Sequence, residues 1–316
     1  MQDLGKNSVT WLTVEAEEAG QRIDNFLFRR LKGVPKTHVY RILRSGEVRV
    51  NSRRAEAAYR LAEGDRLRLP PVRTARPART APVAARPRLS PRVLHEDPSL
   101  MVLDKPSGWA VHGGSGVSLG IVEQLRAEHP DWKFLELAHR LDRETSGVLL
   151  LAKRRAALLE LHRQLREGET EKSYWVLVKG RWRDALRNVR LPLEKRVTAE
   201  GEKRVRVADG GQAAHTVFRL RRAWKDFSLL EAELRTGRTH QIRVHLSHLG
   251  FPVAGDDKYG DFALNKDLAR RGLKRMFLHA ARMVLRHPVT GERLALEAPL
   301  PADLQSFIDR LDAEAL

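Results

Sequence analysis

Nine consecutive residues, His139-Arg140-Leu141-Asp142-Arg143-Glu144-Thr145-Ser146-Gly147, gather three basic side chains around the Asp142 carboxylate just before an apolar run that reaches Ala152. An arginine beside an aspartate favours the ionised carboxylate, the form that a nucleophile or a stabiliser of developing positive charge requires. A salt-bridged structural loop has the same composition, and composition alone leaves the two readings even. A second cluster, Arg235-Thr236-Gly237-Arg238-Thr239-His240-Gln241-Ile242-Arg243-Val244-His245, is a glycine-containing turn entering a helix. Its helix N-terminus and arginines suit an anion. Glycines in Val111-His112-Gly113-Gly114-Ser115-Gly116 resemble a phosphate cradle, but neither a P-loop lysine nor dinucleotide spacing follows. An ordinary turn is expected there, and nothing asks for a nucleotide cofactor.

The rest of the chain bounds what these clusters act on. It has 316 residues and a formal charge of +18, with a pI near 10.7, which points to a polyanionic partner: nucleic acid first, an anionic membrane surface second. No apolar run approaches the ~18 residues of a spanning helix. Cysteine is absent, which removes disulfides, thiolate zinc sites and cysteine nucleophiles together. Twelve histidines are present, yet His240 and His245 are five apart and diverge by ~140° around a helix, unlike the i, i+4 pair of a zincin. Structural or RNA-contacting histidines are therefore expected rather than metal ligands. The first twenty residues lack a basic stretch followed by an apolar one, so a cytoplasmic address is expected.

Residues 73–92 are rich in Arg, Ala and Pro and carry no acidic residue, a composition that cannot bury a core and reads as a semi-extended basic linker. The expected organisation is an N-terminal extension (1–16), a small module (17–72), that linker, and a larger domain (93–316). In the module, Ile23, Phe26, Leu27 and Leu31, then Val39, Ile42 and Leu43, have helical spacing; Gly46 suits a left-handed helix end, and Val48 and Val50 alternate as in a strand. Around them stand Arg29, Lys36, Arg41, Arg44 and Arg49, either a solvated face or an RNA-binding one. The larger domain reads as many short strands and few helices. Gly147–Ala152, the stretch around Tyr174, and Ser228–Leu234 are strands; Leu158 to Leu165 mark a helix, and Ile242 to Leu249 another, with Thr239 as N-cap and Gly250 as stop. The class is α+β, mixed and largely antiparallel.

GQRIDNFL, VYRILRSGEVRVN and EGDRL resemble an S4 RNA-binding domain. The larger domain resembles the RluA-type pseudouridine synthases across about Val93 to Leu304, through LDKPSGWAVHGGSG, HRLDRETSG, EKSYWVLVKG, GRTHQIRVH and FLHA in family order. The one departure noted is Asp104, where many relatives carry Asn. The resemblance implies isomerisation of uridine to pseudouridine in RNA without cofactor or metal. It implies that Asp142 is the catalytic carboxylate, that Tyr174 stacks on the uracil and helps remove the carbon-five proton, and that Arg243 pairs with Asp142. It further implies that Arg140 fills the gap left by a flipped nucleotide, that Leu278 walls the pocket, and that His139, Arg238 and His240 contact substrate. GQRIDNF, GVPK, PPVR, AVHGGSG and FLEL are similar to the members that modify 23S ribosomal RNA. The implied partners are that RNA or large-subunit assembly intermediates, met by a monomer with no membrane role. Two other readings remain at this point: a non-catalytic S4-type RNA-binding protein, and a metal-free ribonuclease using His139 and His240.

Removing the residues before about Val93 is expected to weaken binding to structured RNA and to flatten its salt dependence, because phosphate contacts set that slope. Binding measured over a salt series checks this; unchanged affinity and slope would refute it.

Overall fold

The computed structural model describes residues 8–31, 33–72, 91–113, 119–197 and 202–315. The expected linker (73–92) therefore lies almost wholly outside the described residues, as do the first part of the N-terminal extension and residues 114–118 of the glycine-rich turn. The chain divides into two units, Met1–Arg88 and Leu89–Leu316.

In the first unit, helices α1 (Ile23–Arg30) and α2 (Lys36–Arg44) form on the spacing seen in the sequence, and Ile23, Phe26, Leu27, Val39, Ile42 and Leu43 are buried in one core. Strands β1 (Thr10–Thr13), β2 (Arg49–Val50), β3 (Arg53–Arg54) and β4 (Arg66–Leu69) pair antiparallel in the order β1-β4-β2-β3. Burying the apolar stripes turns the cations outward: Arg29, Lys36, Arg41, Arg44 and Arg49 are all exposed. Lys36 lies over the Phe28 ring at 5.3 Å, and Arg41 stands 3.8 Å from Glu47.

The second unit is built on one twisted sheet. Its strands are β5 (Arg92–Glu96), β6 (Leu100–Lys105), β7 (Glu136–Leu137), β8 (Ser146–Ala152), β9 (Glu171–Lys179), β10 (Leu186–Val189), β13 (Thr216–Ala223), β14 (Phe227–Leu234), β15 (Leu278–Arg286) and β16 (Arg293–Glu297). The order is β10-β13-β14-β9-β15-β8-β6-β5, with β16 on β15 and β7 on β8. A separate hairpin joins β11 (Leu193–Val197) to β12 (Lys203–Val207). Among the described residues the β15/β8 pairing is the parallel one, with His279 beside Ser146 and Ala280 beside Gly147; the others are antiparallel, as expected. The apolar run in β8 is buried at every position because both faces are covered: Leu149 and Leu151 join one cluster, Val148, Leu150 and Ala152 another.

Helices α3 (Ile121–Glu128), α4 (Arg155–Glu167), α5 (Gln241–His248), α6 (Phe262–Arg270) and α7 (Ala302–Glu314) complete the unit. Helices are thus more numerous than the sequence led one to expect, since α3, α6 and α7 were not anticipated. The α7 stripe, Leu304, Phe307, Ile308 and Leu311, has helical spacing and is buried, so it was legible. In α6 only Leu268 is buried, and its start is fixed by the Asp261 carboxylate accepting from the Leu264 N–H at 3.0 Å.

Gly147 closes the acidic-basic loop onto the sheet. Its φ is +109°, and a Cβ there would stand 2.2 Å from the Ala280 carbonyl oxygen, so both backbone conformation and close approach require glycine. Gly147→Ala is expected to destabilise this unit by about 2–4 kcal/mol, read as a lowered denaturant midpoint; a midpoint equal to wild type would contradict the packing.

Candidate active site

The loop between β7 and β8 that carries Asp142 is fastened from below. Lys105, fully buried at the end of β6, donates from Nζ to the carbonyls of Pro106, Trp109 and Arg143 at 2.8–2.9 Å, which uses all three protons of an ammonium. Burial pushes this amine down to about 7. At the loop's far end Ser146 Oγ bonds His279 Nδ1 (2.9 Å) and accepts from Arg275 Nη2 (2.6 Å), while His279 Nε2 meets the Ala298 carbonyl at 3.1 Å. The carbonyl fixes the proton on Nε2, so Nδ1 accepts from the serine. His139 holds backbone in a similar way, its Nε2 accepting from the Leu150 N–H at 3.1 Å. Burial, with the charge of Lys172, pushes His139 down to about 4, and burial does the same to His279. His139 is thus tied to β8 through its Nε2.

The other wall comes from GRTHQIRVH. The expectation that Thr239 caps the helix is overturned: α5 starts at Gln241, and the capping position is His240, in the left-handed region at φ 54°, ψ 22° with no side-chain cap. The turn is organised by Gln241 instead. Its Oε1 accepts from Thr236 Oγ1 and the Arg238 N–H, and its Nε2 donates to the His215 carbonyl and Thr216 Oγ1, all at 2.7–3.0 Å. Buried donors and acceptors are satisfied in full, which leaves one geometry for the turn.

One residue pair decides the electrostatics. Arg243, 7% exposed, donates from Nη1 to Asp142 Oδ2 at 2.9 Å and from Nε and Nη2 to both oxygens of Asp256 at 2.7 Å. Asp256 is fully buried and also accepts from the Lys258 and Tyr259 N–H groups. Burial works against the Arg243 charge, but Asp256 and then Asp142 outweigh it and hold the guanidinium above its ordinary range. Burial likewise works against Asp256, and Arg243 outweighs that, keeping the carboxyl low. The Tyr259 ring lies under the guanidinium, 5.1 Å from centroid to Cζ. Asp142 retains 28% side-chain exposure, so of these three residues it is the one open to solvent.

Tyr174 sits on β9 beside Ala280, and Leu278 pairs with Val176 two residues along; both are buried in one apolar cluster. Burial first, and the Asp142 charge second, raise the Tyr174 phenol well above its usual range, so it is a neutral phenol at physiological pH. His240 Nε2 stands 3.7 Å from Asp142 Oδ1. Arg140 is exposed on the loop. Arg238 donates from Nε to the Ala213 carbonyl at 3.1 Å and, with Thr239, Lys195 and Gln212, lines an adjoining cavity of about 380 Å³. The structure therefore brings Asp142, Arg243 and His240 together, with Tyr174 close enough for the Asp142 charge to bear on it. His245 is kept apart: it is buried, bonded to Thr216 Oγ1 and the Leu191 carbonyl. Asp256, Tyr259 and Lys105 escaped the sequence reading. The only local signal was AGDDKYG, an acidic pair and a tyrosine between glycines; Gly255 there lies so close to the Arg275 carbonyl that a Cβ would stand 2.2 Å from its oxygen.

Comparison with known proteins decides the family. A model of RNA pseudouridylate synthase matches residues 99–248, and one of the S4 domain residues 21–67. The chain is 48% identical over 316 residues to the ribosomal large subunit pseudouridine synthase C of Salmonella typhi, covering 98% of both chains. The chain belongs to the RNA pseudouridylate synthase family. Its similarity to the enzymes of the same name from Escherichia coli K12 (49%, 96% of this chain and 97% of the relative) and Yersinia pestis (50%, 94% of both) also spans both units. Among solved structures, human RNA pseudouridylate synthase domain containing 4 aligns at TM-score 0.57 and 28% identity, covering 70% of this chain and 92% of that one. This RNA pseudouridine synthase is accordingly an isomerase with an α+β catalytic fold and an N-terminal S4 domain.

Two buried histidines give the catalytic unit a pH signature. With His139 and His279 lowered from 6.5 to about 4, the unfolded chain binds protons between those values that the folded chain does not. Stability is therefore expected to fall as pH drops from 6.5 towards 4, by up to ~1.4 kcal/mol per pH unit per histidine. Urea midpoints at pH 7, 5.5 and 4.5 check this; a flat profile would contradict it.

Proposed function

We propose that this enzyme converts several uridines near the peptidyl-transferase region of 23S ribosomal RNA to pseudouridine, acting as a cytoplasmic monomer on the free RNA or on large-subunit assembly intermediates. The observation that carries the catalytic reading is the partly exposed Asp142 carboxylate, gripped by a buried arginine that a second carboxylate immobilises. The choice of RNA is supported by near-full-length similarity to relatives named for the ribosomal large subunit. No helix among the described residues is long and apolar enough to cross a membrane.

In this reading the target uridine flips out of the RNA into the cleft, at a cost of a few kcal/mol, and Arg140 occupies the vacated stack. Asp142 attacks the ribose or the base as the bond from C1′ to N1 breaks; the uracil turns, C5 bonds to C1′ as the bond to Asp142 is released, and the proton lost from C5 is balanced by one taken up at N1. Arg243 keeps the carboxylate oriented through a charge-assisted bond. Tyr174 stacks on the uracil, and its neutral hydroxyl relays the C5 proton, taking it up as its own O–H proton passes on to solvent. Leu278 closes the apolar wall, and Arg238 and His240 contact the bound nucleotide or its neighbours, with His139 shaping the loop behind them. Arg29, Lys36, Arg41, Arg44 and Arg49 grip RNA phosphates from the S4 module (17–72), which the extension (1–16) precedes and the basic linker (73–92) joins to the catalytic domain (93–316). Recognition of several sites fits shape and backbone contacts better than one strict sequence.

Tritium release from large-subunit rRNA labelled at uracil C5 tests the reading. Wild type is expected to release tritium and Asp142→Ala to release none; no release by wild type from free rRNA or precursor particles would overturn it. Arg243→Met is expected to lower turnover at least a hundredfold with RNA affinity little changed, and equal losses in both would recast Arg243 as a phosphate contact.

A further inference from the structure

Asp142 has two oxygens, and the ion pair with Arg243 accounts for one of them. The other, Oδ1, faces His240 Nε2 at 3.7 Å. The opposite nitrogen of that ring, Nδ1, is 2.8 Å from the Tyr259 hydroxyl. That hydroxyl also lies 2.9 Å from the Val205 N–H of β12, from which it accepts. A phenol has one proton to give. The arrangement that also turns an N–H towards Asp142 Oδ1 is the one in which the Tyr259 proton goes to His240 Nδ1, leaving that nitrogen bare and the hydrogen on Nε2. Burial, with the charges of Arg243 and Lys258, lowers the His240 pKa although Asp142 opposes this and Asp256 does so more weakly; the ring is therefore neutral at physiological pH. The backbone agrees with a functional placement: His240 is one of three non-glycine residues in the left-handed region among those described, a conformation retained where its surroundings over-determine it.

We infer that Tyr259 is a positioning residue that fixes His240 as the Nε2–H tautomer, making His240 a second, neutral N–H donor aimed at Asp142 Oδ1. With Arg243 on Oδ2 and His240 on Oδ1, the carboxylate cannot rotate about its terminal bond as the glycosidic bond breaks. The 3.7 Å gap is longer than a hydrogen bond, as apo catalytic contacts often are, and closes when RNA fills the cleft. Because Val205 belongs to the β11/β12 hairpin, the same chain of bonds ties that hairpin to the carboxylate. The role in turnover rests on the proposed isomerisation; the tautomer does not.

The test uses full-length protein labelled with 15N in histidine, the His240 signals being assigned by their loss in His240→Gln. Two-bond 1H–15N correlations are expected to show a neutral ring protonated at Nε2 in wild type and a shift towards Nδ1–H in Tyr259→Phe. Phenylalanine keeps the ring beneath Arg243 and removes only the oxygen, so an unchanged melting temperature is the check that the variant is folded. On rRNA, Tyr259→Phe is expected to lower kcat about tenfold, the scale of one hydrogen bond to a charged group, with KM within about twofold. His240→Gln, which keeps an N–H, is expected to retain more kcat than His240→Ala. An Nδ1–H tautomer in wild type, a full kcat in Tyr259→Phe, or a lost kcat with an unmoved tautomer would each overturn the assignment. Wild type that releases no tritium would instead remove the proposed function and leave the tautomer reading to stand or fall by its spectrum.

Discussion

A single buried guanidinium, that of Arg243, holds the candidate site together. Removing such a charge from water is costly, and it is tolerated because every face of the group is used: Asp256 takes two donors, Asp142 one, and the Tyr259 ring the flat side. The arrangement is asymmetric in exposure, with Asp256 fully buried and Asp142 open to the cleft. One carboxylate therefore anchors the guanidinium from the interior, and the other carries its charge to the solvent. An isolated Asp–Arg pair would leave the guanidinium free to swing on its long side chain. The second carboxylate removes that freedom, which is how a flexible residue acquires a fixed direction.

The same economy governs the loop that presents Asp142. Lys105 and Ser146 hold its two ends to neighbouring backbone and to His279, and His139 links its start to β8. Of these groups His139 is the one the sequence motifs advertise as chemistry, yet the structure uses its ring to hold backbone. A loop so tied does not need to be ordered by substrate, and the entropic cost of placing the carboxylate is met when the protein folds. The phenol of Tyr174 fits this dry setting: buried beside a negative charge, it stays protonated.

The S4 unit works on different physics. Its core is a conventional apolar cluster, and the cations around its two helices are exposed. Exposed arginines add little to stability, but they set up the long-range attraction that draws a polyanion in. The two units thus differ in how they carry charge: exposed cations around an apolar core in one, a buried ion-pair array in the other.

Sequence alone determined much of this. Helical spacing located α1, α2, α4 and α5, the apolar run located β8, and two motifs distant in the chain held the Asp142 and Arg243 that the fold brings together, because local periodicity and short motifs are written in neighbouring residues. Three things were decided only by tertiary structure. The capping residue at α5 is His240, not Thr239, since Gln241 reaches across to β13 and takes over the turn. His139 faces β8, because a strand amide claims its ring nitrogen. Asp256 and Tyr259 complete the site from a loop more than a hundred residues beyond Asp142. Their partnership with Arg243 exists only once burial forces a charged side chain to find partners inside the protein, and that demand comes from the folded interior, where water is not available to meet it.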